Sequence, residues 1–189
     1  MSSHHIVREK QEPALLVLGL DNFPDELLGQ LLEWNPTVIT SAQTAEKLVS
    51  RGIKIDWIIT NEINEVFQSD VKLMSAGDGN LTDAALKYLS TNEYPAVNII
   101  TDELRLQDYE PFADKIGLVI FHAHKKIYTI NPGFRKWKPA GQTVEILSRA
   151  NGLDYSGLEK IKDRQYKTTA DGFFTLHFHE PVLFIAEEI

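Results

Sequence analysis

Asp78-Gly79-Asn80-Leu81-Thr82-Asp83 gathers two carboxylates, an amide and a hydroxyl where an apolar strand gives way to a helix. In an open parallel sheet, ligands collect outside the carboxyl ends of the strands, and the exposed amides of a helix start attract phosphate. Asp78 and Asp83 could there hold a Mg²⁺ ion bridging nucleotide phosphates, because that ion keeps several waters and uses one or two carboxylates. The same residues have a plainer use: Asp78 and Asn80 can make a turn while Asp83 favours the helix dipole. A second constellation is paired histidine. His122-Ala123-His124 and His177-Phe178-His179 each set two imidazoles on one face of a strand, since side chains alternate with period two. On neighbouring strands the four could bind a transition metal; separate, partly exposed histidines are the alternative.

Other signatures of catalysis are missing. No cysteine occurs, which removes disulfide scaffolds, thiolate nucleophiles, Cys-ligated zinc and iron–sulfur clusters together. Gly19-Leu20-Asp21-Asn22-Phe23 lacks the glycine spacing of a dinucleotide fingerprint, and neither GxxxxGK[ST] nor GxSxG is present. The 189 residues carry 27 acidic and 19 basic side chains, and the net charge of -8 repels phosphate backbones. Lys125-Lys126 and Arg135-Lys136-Trp137-Lys138 are small basic pieces that read as charged strand edges discouraging aggregation. No nucleic-acid partner is expected. Met1 to Pro13 is polar, without the apolar centre of a signal peptide, and no apolar run approaches the ~20 residues that cross a bilayer. These features predict a soluble, cytoplasmic protein with no membrane partner, and 43% hydrophobic residues supply a core.

The elements that must position these groups alternate in the first part of the chain. Ala14 to Leu18 suits a strand buried on both faces, and Pro24-Asp25-Glu26 opens a helix with Leu27, Leu28, Leu31 and Leu32 at helical spacing. Thr37 to Thr40 reads as a second strand, with Ser41 as N-cap of a helix ending at Gly52. Further strands fall at Asp56 to Thr60, Val71 to Met74 and Ala96 to Thr101, and Thr82 is the expected cap of the helix before the last of these. Such alternation implies a mostly parallel sheet covered by helices. From about Gly117 short strands follow one another, at Leu118 to Phe121, Lys126 to Ile130, Thr143 to Leu147, Phe173 to Phe178 and Val182 to Ile185. Asn131-Pro132-Gly133, Pro139-Ala140-Gly141, Ala150-Asn151-Gly152 and Asp171-Gly172 are the turns between them.

Taken in order, these features resemble thiamine pyrophosphokinase over most of residues 14 to 186. The resemblance is carried by the strand and helix from Val38 to Leu48, by Ile55-Asp56-Trp57-Ile58-Ile59-Thr60-Asn61-Glu62-Ile63-Asn64 in the place of a PDxIIGDxDS stretch, and by Asp78 to Asp83 in the place of DQxxTD. Gly141 to Leu147, Gly157-Leu158 and Asp171 to Thr175 stand at the landmarks of the second half. The resemblance implies an α/β Rossmann-like domain with a mostly parallel sheet over residues 14–116 and a C-terminal antiparallel β-sandwich over 117–189, after a polar extension of residues 1–13. It further implies a homodimer, ATP and thiamine as partners, Mg²⁺ as cofactor, and pyrophosphoryl transfer giving thiamine diphosphate and AMP. Residue by residue it assigns catalysis to Asp83 and Asp78, the metal to Asp83, Asp78 and Glu62, the nucleotide to Thr82, Asn80 and Asn61, and the thiamine end to Thr175 and Phe174.

The chain departs from the pattern at its chemistry. Ala42 replaces an acidic residue, Asn61 and Ile63 stand where GDxDS has carboxylates, Gly79 replaces Gln, and no GGRxDH follows Ile99-Ile100. Phe174-Thr175 stands in the place of Ser-Asn. One lost electrostatic group commonly costs about 10²–10³ in rate. The expectation is therefore weak or lost transfer, with a non-catalytic thiamine-, nucleotide- or partner-binding protein as the alternative.

Overall fold

A computed structural model describes residues 12–61 and 70–189, so Glu62, Ile63 and Asn64 lie outside the described residues. The chain divides into two compact units, Met1–Leu118 and Val119–Ile189.

In the first unit the apolar run forms β1 (Ala14–Val17), with all four side chains buried. It is followed by α1 (Asp25–Leu32), β2 (Val38–Ser41), α2 (Ala42–Ser50), β3 (Trp57–Ile59), β4 (Lys72–Met74), α3 (Leu81–Thr91) and β5 (Ala96–Ile100). The five strands are parallel in the order β4-β3-β2-β1-β5, with Leu16 level with Ile39 on one side and Ile99 on the other. The chain builds outward from β1 through β2 and β3 to β4, then returns to lay β5 on the opposite side of β1. The order thus reverses between β1 and β5, and burial on both faces explains why β1 reads as an unbroken apolar run. Ser41 caps α2, its Oγ accepting the Thr44 N–H at 3.2 Å. The cap of α3 is Asn80 rather than Thr82: Asn80 is extended and its Oδ1 accepts the Asp83 N–H at 2.7 Å, while Thr82 sits buried within the first turn. Beyond β5 the chain makes two short 3₁₀ turns, Leu106–Asp108 and Glu110–Phe112.

The second unit is all strand: β6 (Gly117–His122, starting at the end of the first unit), β7 (Lys125–Ile130), β8 (Phe134–Lys138), β9 (Thr143–Ile146), β10 (Asp154–Ser156), β11 (Leu158–Lys162), β12 (Gln165–Thr168), β13 (Gly172–His177) and β14 (Leu183–Glu188). Its strands pair antiparallel as β6-β7-β14-β9-β12-β11 and, separately, as β10-β13-β8. Ile130, Val144, Leu176, Phe174 and Ile185 belong to one buried cluster drawn from both sets. A charged cluster joins the two sets as well. Glu187 on β14, only 6% exposed, accepts from the Tyr128 hydroxyl and from Lys136 Nζ, each at 2.7 Å, and lies 3.2 Å from Lys138 Nζ. Burial pushes its carboxyl upward, but hydrogen bonds from Lys136 and Tyr128 and the charges of both lysines outweigh that and hold it below the ordinary carboxylate value.

The fold class differs from the sequence expectation. The described strands form a mixed sheet of eleven and a separate sheet of three, with three α-helices, rather than a Rossmann-like domain followed by a β-sandwich. Alternation in a sequence shows which segments are extended. It does not show which distant segment supplies the neighbouring hydrogen bonds, so the sheet to which β6, β7, β9 and β14 belong could not be read from their pattern. No helix among the described residues is long and apolar enough to cross a membrane.

Candidate functional site

A cleft of about 450 Å³ opens at the carboxyl ends of β1 and β5, where the strand order reverses. Leu18, Gly19 and Asp21 line it after β1, Gln43, Thr44 and Lys47 from α2, Asn80 to Thr82 at the start of α3, and residues between Thr101 and Tyr109 after β5. This is the place where a parallel sheet leaves room for a ligand.

The walls are fixed by short-range contacts. Thr40 Oγ1 donates to the Val17 carbonyl at 2.7 Å, tying β2 to the end of β1. Asp102 packs so closely on Gly19 that a Cβ there would lie 2.2 Å from its Oδ2, and both its carboxylate oxygens accept the Asp21 N–H at 3.2 Å. The Asp21 carboxylate in turn pairs with Lys47. Arg105 donates to Glu103 Oε2 at 2.9 Å. At the base, Tyr109 is buried and its hydroxyl is hydrogen-bonded with Thr101 and Thr82. Burial pushes that phenol up to about 12 in spite of those two bonds, so it stays protonated at neutral pH. Four carboxylates (Asp21, Asp102, Glu103 and Asp108) and two cations (Lys47 and Arg105) line the cleft, leaving an excess of negative charge.

No protein-family model and no curated protein matches the sequence. Solved structures do match. Thiamine pyrophosphokinase from Bacillus subtilis aligns over 94% of this chain and 99% of its own, with a TM-score of 0.67 at 14% identity. Thiamine pyrophosphokinase from Geobacillus thermodenitrificans aligns over 93% and 97%, with a TM-score of 0.67 at 13% identity, and that from Candida albicans over 94% and 90%, with 0.66 at 9%. The chain has the thiamine pyrophosphokinase fold. At such identities the likeness is one of fold, and the residues have to speak for the chemistry.

Within the thiamine pyrophosphokinase fold, the positions singled out by the sequence are dispersed. Thr82 and Asn80 line the cleft. Asp83 pairs with Lys87 at 2.7 Å and lines a neighbouring depression with Ser90, Pro111, Phe112 and Lys115. Asp78 is exposed on the turn before α3 and does not line the cleft. Asn61 is spent on the backbone: its Oδ1 accepts from the Ala76 N–H at 2.9 Å and from Ser75 Oγ at 3.1 Å, while its Nδ2 donates to the Gly77 carbonyl at 3.1 Å. Phe174 is 1% exposed in the core of the second unit, whereas Thr175 points the other way and shares a 2.7 Å hydrogen bond with Ser156. His122 and His177 lie on strands of different sheets, and among the described residues no three His, Cys, Asp or Glu side chains are grouped as a metal site.

Among the described residues the donor set does not fit a Mg²⁺ ion. Asp83 and Asp21 are each paired with a lysine, Glu103 with Arg105, and Asp102 is pinned by a backbone amide. The neutral oxygen of Asn61 is already used twice. Asp21, Lys47, Asp102, Arg105 and Tyr109 escaped the sequence reading. The rule that drew notice to Asp78 also pointed to Asp21, Asp102 and Arg105, because Gly19 to Asp21 and Thr101 to Arg105 closely follow strands, whereas Lys47 and Tyr109 lie outside its reach.

Proposed function

We propose that this chain is a small-molecule-binding protein on the thiamine pyrophosphokinase fold, taking a thiamine-like or nucleotide-like ligand in the cleft without transferring a pyrophosphoryl group. The observation that carries this reading is Asn61, whose amide braces the turn at Ser75 to Gly77 where the resemblance asks for a metal-binding carboxylate. Phosphoryl-type transfer depends on positioning and on cations that neutralise charge in the transition state. With that position given to the backbone and Asp83 held by Lys87, the chain keeps the room for a ligand and lacks the charge for the reaction.

The transferase reading has one observation of its own, that Thr82 and Asn80 line the cleft at the start of α3. In that reading Asp83 and Asp78 hold Mg²⁺ for ATP-dependent transfer to thiamine. Incubation with ATP, Mg²⁺ and thiamine separates the two. No AMP above blank at high protein concentration, with a thermal midpoint raised by thiamine or a nucleotide, supports the binding protein. Sustained AMP and thiamine diphosphate formation replaces it with the transferase.

A further inference from the structure

Three of the four carboxylates of the cleft are already answered from within the chain. Lys47 projects from α2 onto Asp21, Arg105 holds Glu103 at 2.9 Å, and Asp102 receives the Asp21 N–H on both oxygens. Of the four acids lining the cleft, Asp108 alone has no hydrogen-bond or ion-pair partner for its carboxylate among the described residues. Mg²⁺ demands near-octahedral oxygen geometry and gives up its water reluctantly, so it favours carboxylates with their charge still available. A tethered cation reaches its carboxylate without the translational cost a free ion meets.

We infer that Lys47 and Arg105 are built-in counter-ions that close this cleft to divalent metal, so that its ligand binds without one. The two pairs are exposed, and each weakens a competing metal by about twofold to fivefold, the two together by about tenfold. That is enough to silence a site of one or two carboxylates, which holds Mg²⁺ weakly to begin with. The inference rests on the cleft being the ligand site, as proposed above, but it is tested separately from transfer.

The test uses the full chain without a polyhistidine tag and Mn²⁺ as the probe, with free Mn²⁺ read by its paramagnetic resonance signal. The wild type should leave millimolar Mn²⁺ unbound. Lys47→Ala with Arg105→Ala should gain about tenfold in Mn²⁺ affinity, while Lys47→Arg, which keeps the pair, should stay silent. Circular dichroism checks the fold of each variant, and Lys47→Ala alone serves if the double variant is unfolded. Mn²⁺ bound by the wild type as tightly as by the variant, or no gain in a folded variant, overturns the inference. Thermal midpoints with thiamine or AMP should rise equally in EDTA and in Mg²⁺, and a rise that needs the metal also overturns it. If neither compound raises the midpoint the proposed binding function fails, while the Mn²⁺ measurements still decide the counter-ion claim.

Discussion

Gly19→Ala tests how the cleft is built. The added Cβ would meet Asp102 Oδ2 at 2.2 Å, Cγ at 2.5 Å and the Asp102 backbone nitrogen at 2.8 Å. Left-handed backbone is not at stake, since Gly19 is not among the residues with positive φ. The carboxylate can swing away, but the amide nitrogen cannot retreat without moving the chain at the end of β5. Overpacking of this kind costs about 1–3 kcal/mol, and losing the exposed Asp21 N–H to carboxylate bond adds about 1 kcal/mol. Urea denaturation should therefore show a loss of about 2–4 kcal/mol, through a lower midpoint at unchanged slope. Asp102→Ala alone should cost about 1 kcal/mol. Combined with Gly19→Ala it leaves only the 2.8 Å backbone contact, so the double variant should be more stable than the sum of the singles by about 1 kcal/mol. A Gly19→Ala protein as stable as wild type, or strict additivity, refutes the close approach of Gly19 and Asp102 as the cause.

Glu187→Ala should destabilise by about 3 kcal/mol in chemical denaturation, because it strands Lys138, only 12% exposed, beside a more exposed Lys136. The same residue sets a pH dependence: its folded carboxyl lies below the ordinary value of 4.5, so its contribution is complete above that pH and fades as pH falls through the folded value, a fall that Glu187→Gln should not show in acid titration. Asn61→Asp removes the donor to the Gly77 carbonyl and should cost about 1 kcal/mol at neutral pH, measured by thermal denaturation. Phe174→Ala should cost about 3–5 kcal/mol and Thr175→Ala less than about 1 kcal/mol, since only the first empties the core; equal losses in urea would contradict the opposite facing of the two residues.

β1 was legible because burial on both faces leaves a continuous apolar run, and β5 because its apolar residues are broken only by Asn98: Ala14 to Leu18 and Ala96 to Thr101 predict the two strands to within a residue. The Ser41 cap was legible from type and position, whereas at the start of α3 two polar residues compete, and only geometry shows that Asn80 reaches the free amide while Thr82 turns inward to Tyr109. In the second unit β10 (DYS), β11 (LEKIK) and β12 (QYKT) carry too few apolar residues to announce strands, and pairing with neighbours forms them. The cleft was legible only as a rule about strand ends. Lys47 lies in the last turn of α2, and nothing in its neighbours tells that Asp21, 26 residues earlier, is its partner.

The use made of Asn61 decides more than one position. A side chain that braces the Ser75 to Gly77 turn must accept from Ala76 and Ser75 and also donate to Gly77, and the amide of Asn does both while an ionised carboxylate can only accept. A carboxylate could keep the two accepted bonds, but it would set an oxygen against the Gly77 carbonyl, so bracing the turn and holding a metal ask opposite things of the same atom. The turn leads through Asp78 and Gly79 to Asn80, the cap that sets where α3 begins and hence where Thr82 meets the cleft. An acid at residue 61 would therefore loosen the approach to the start of α3.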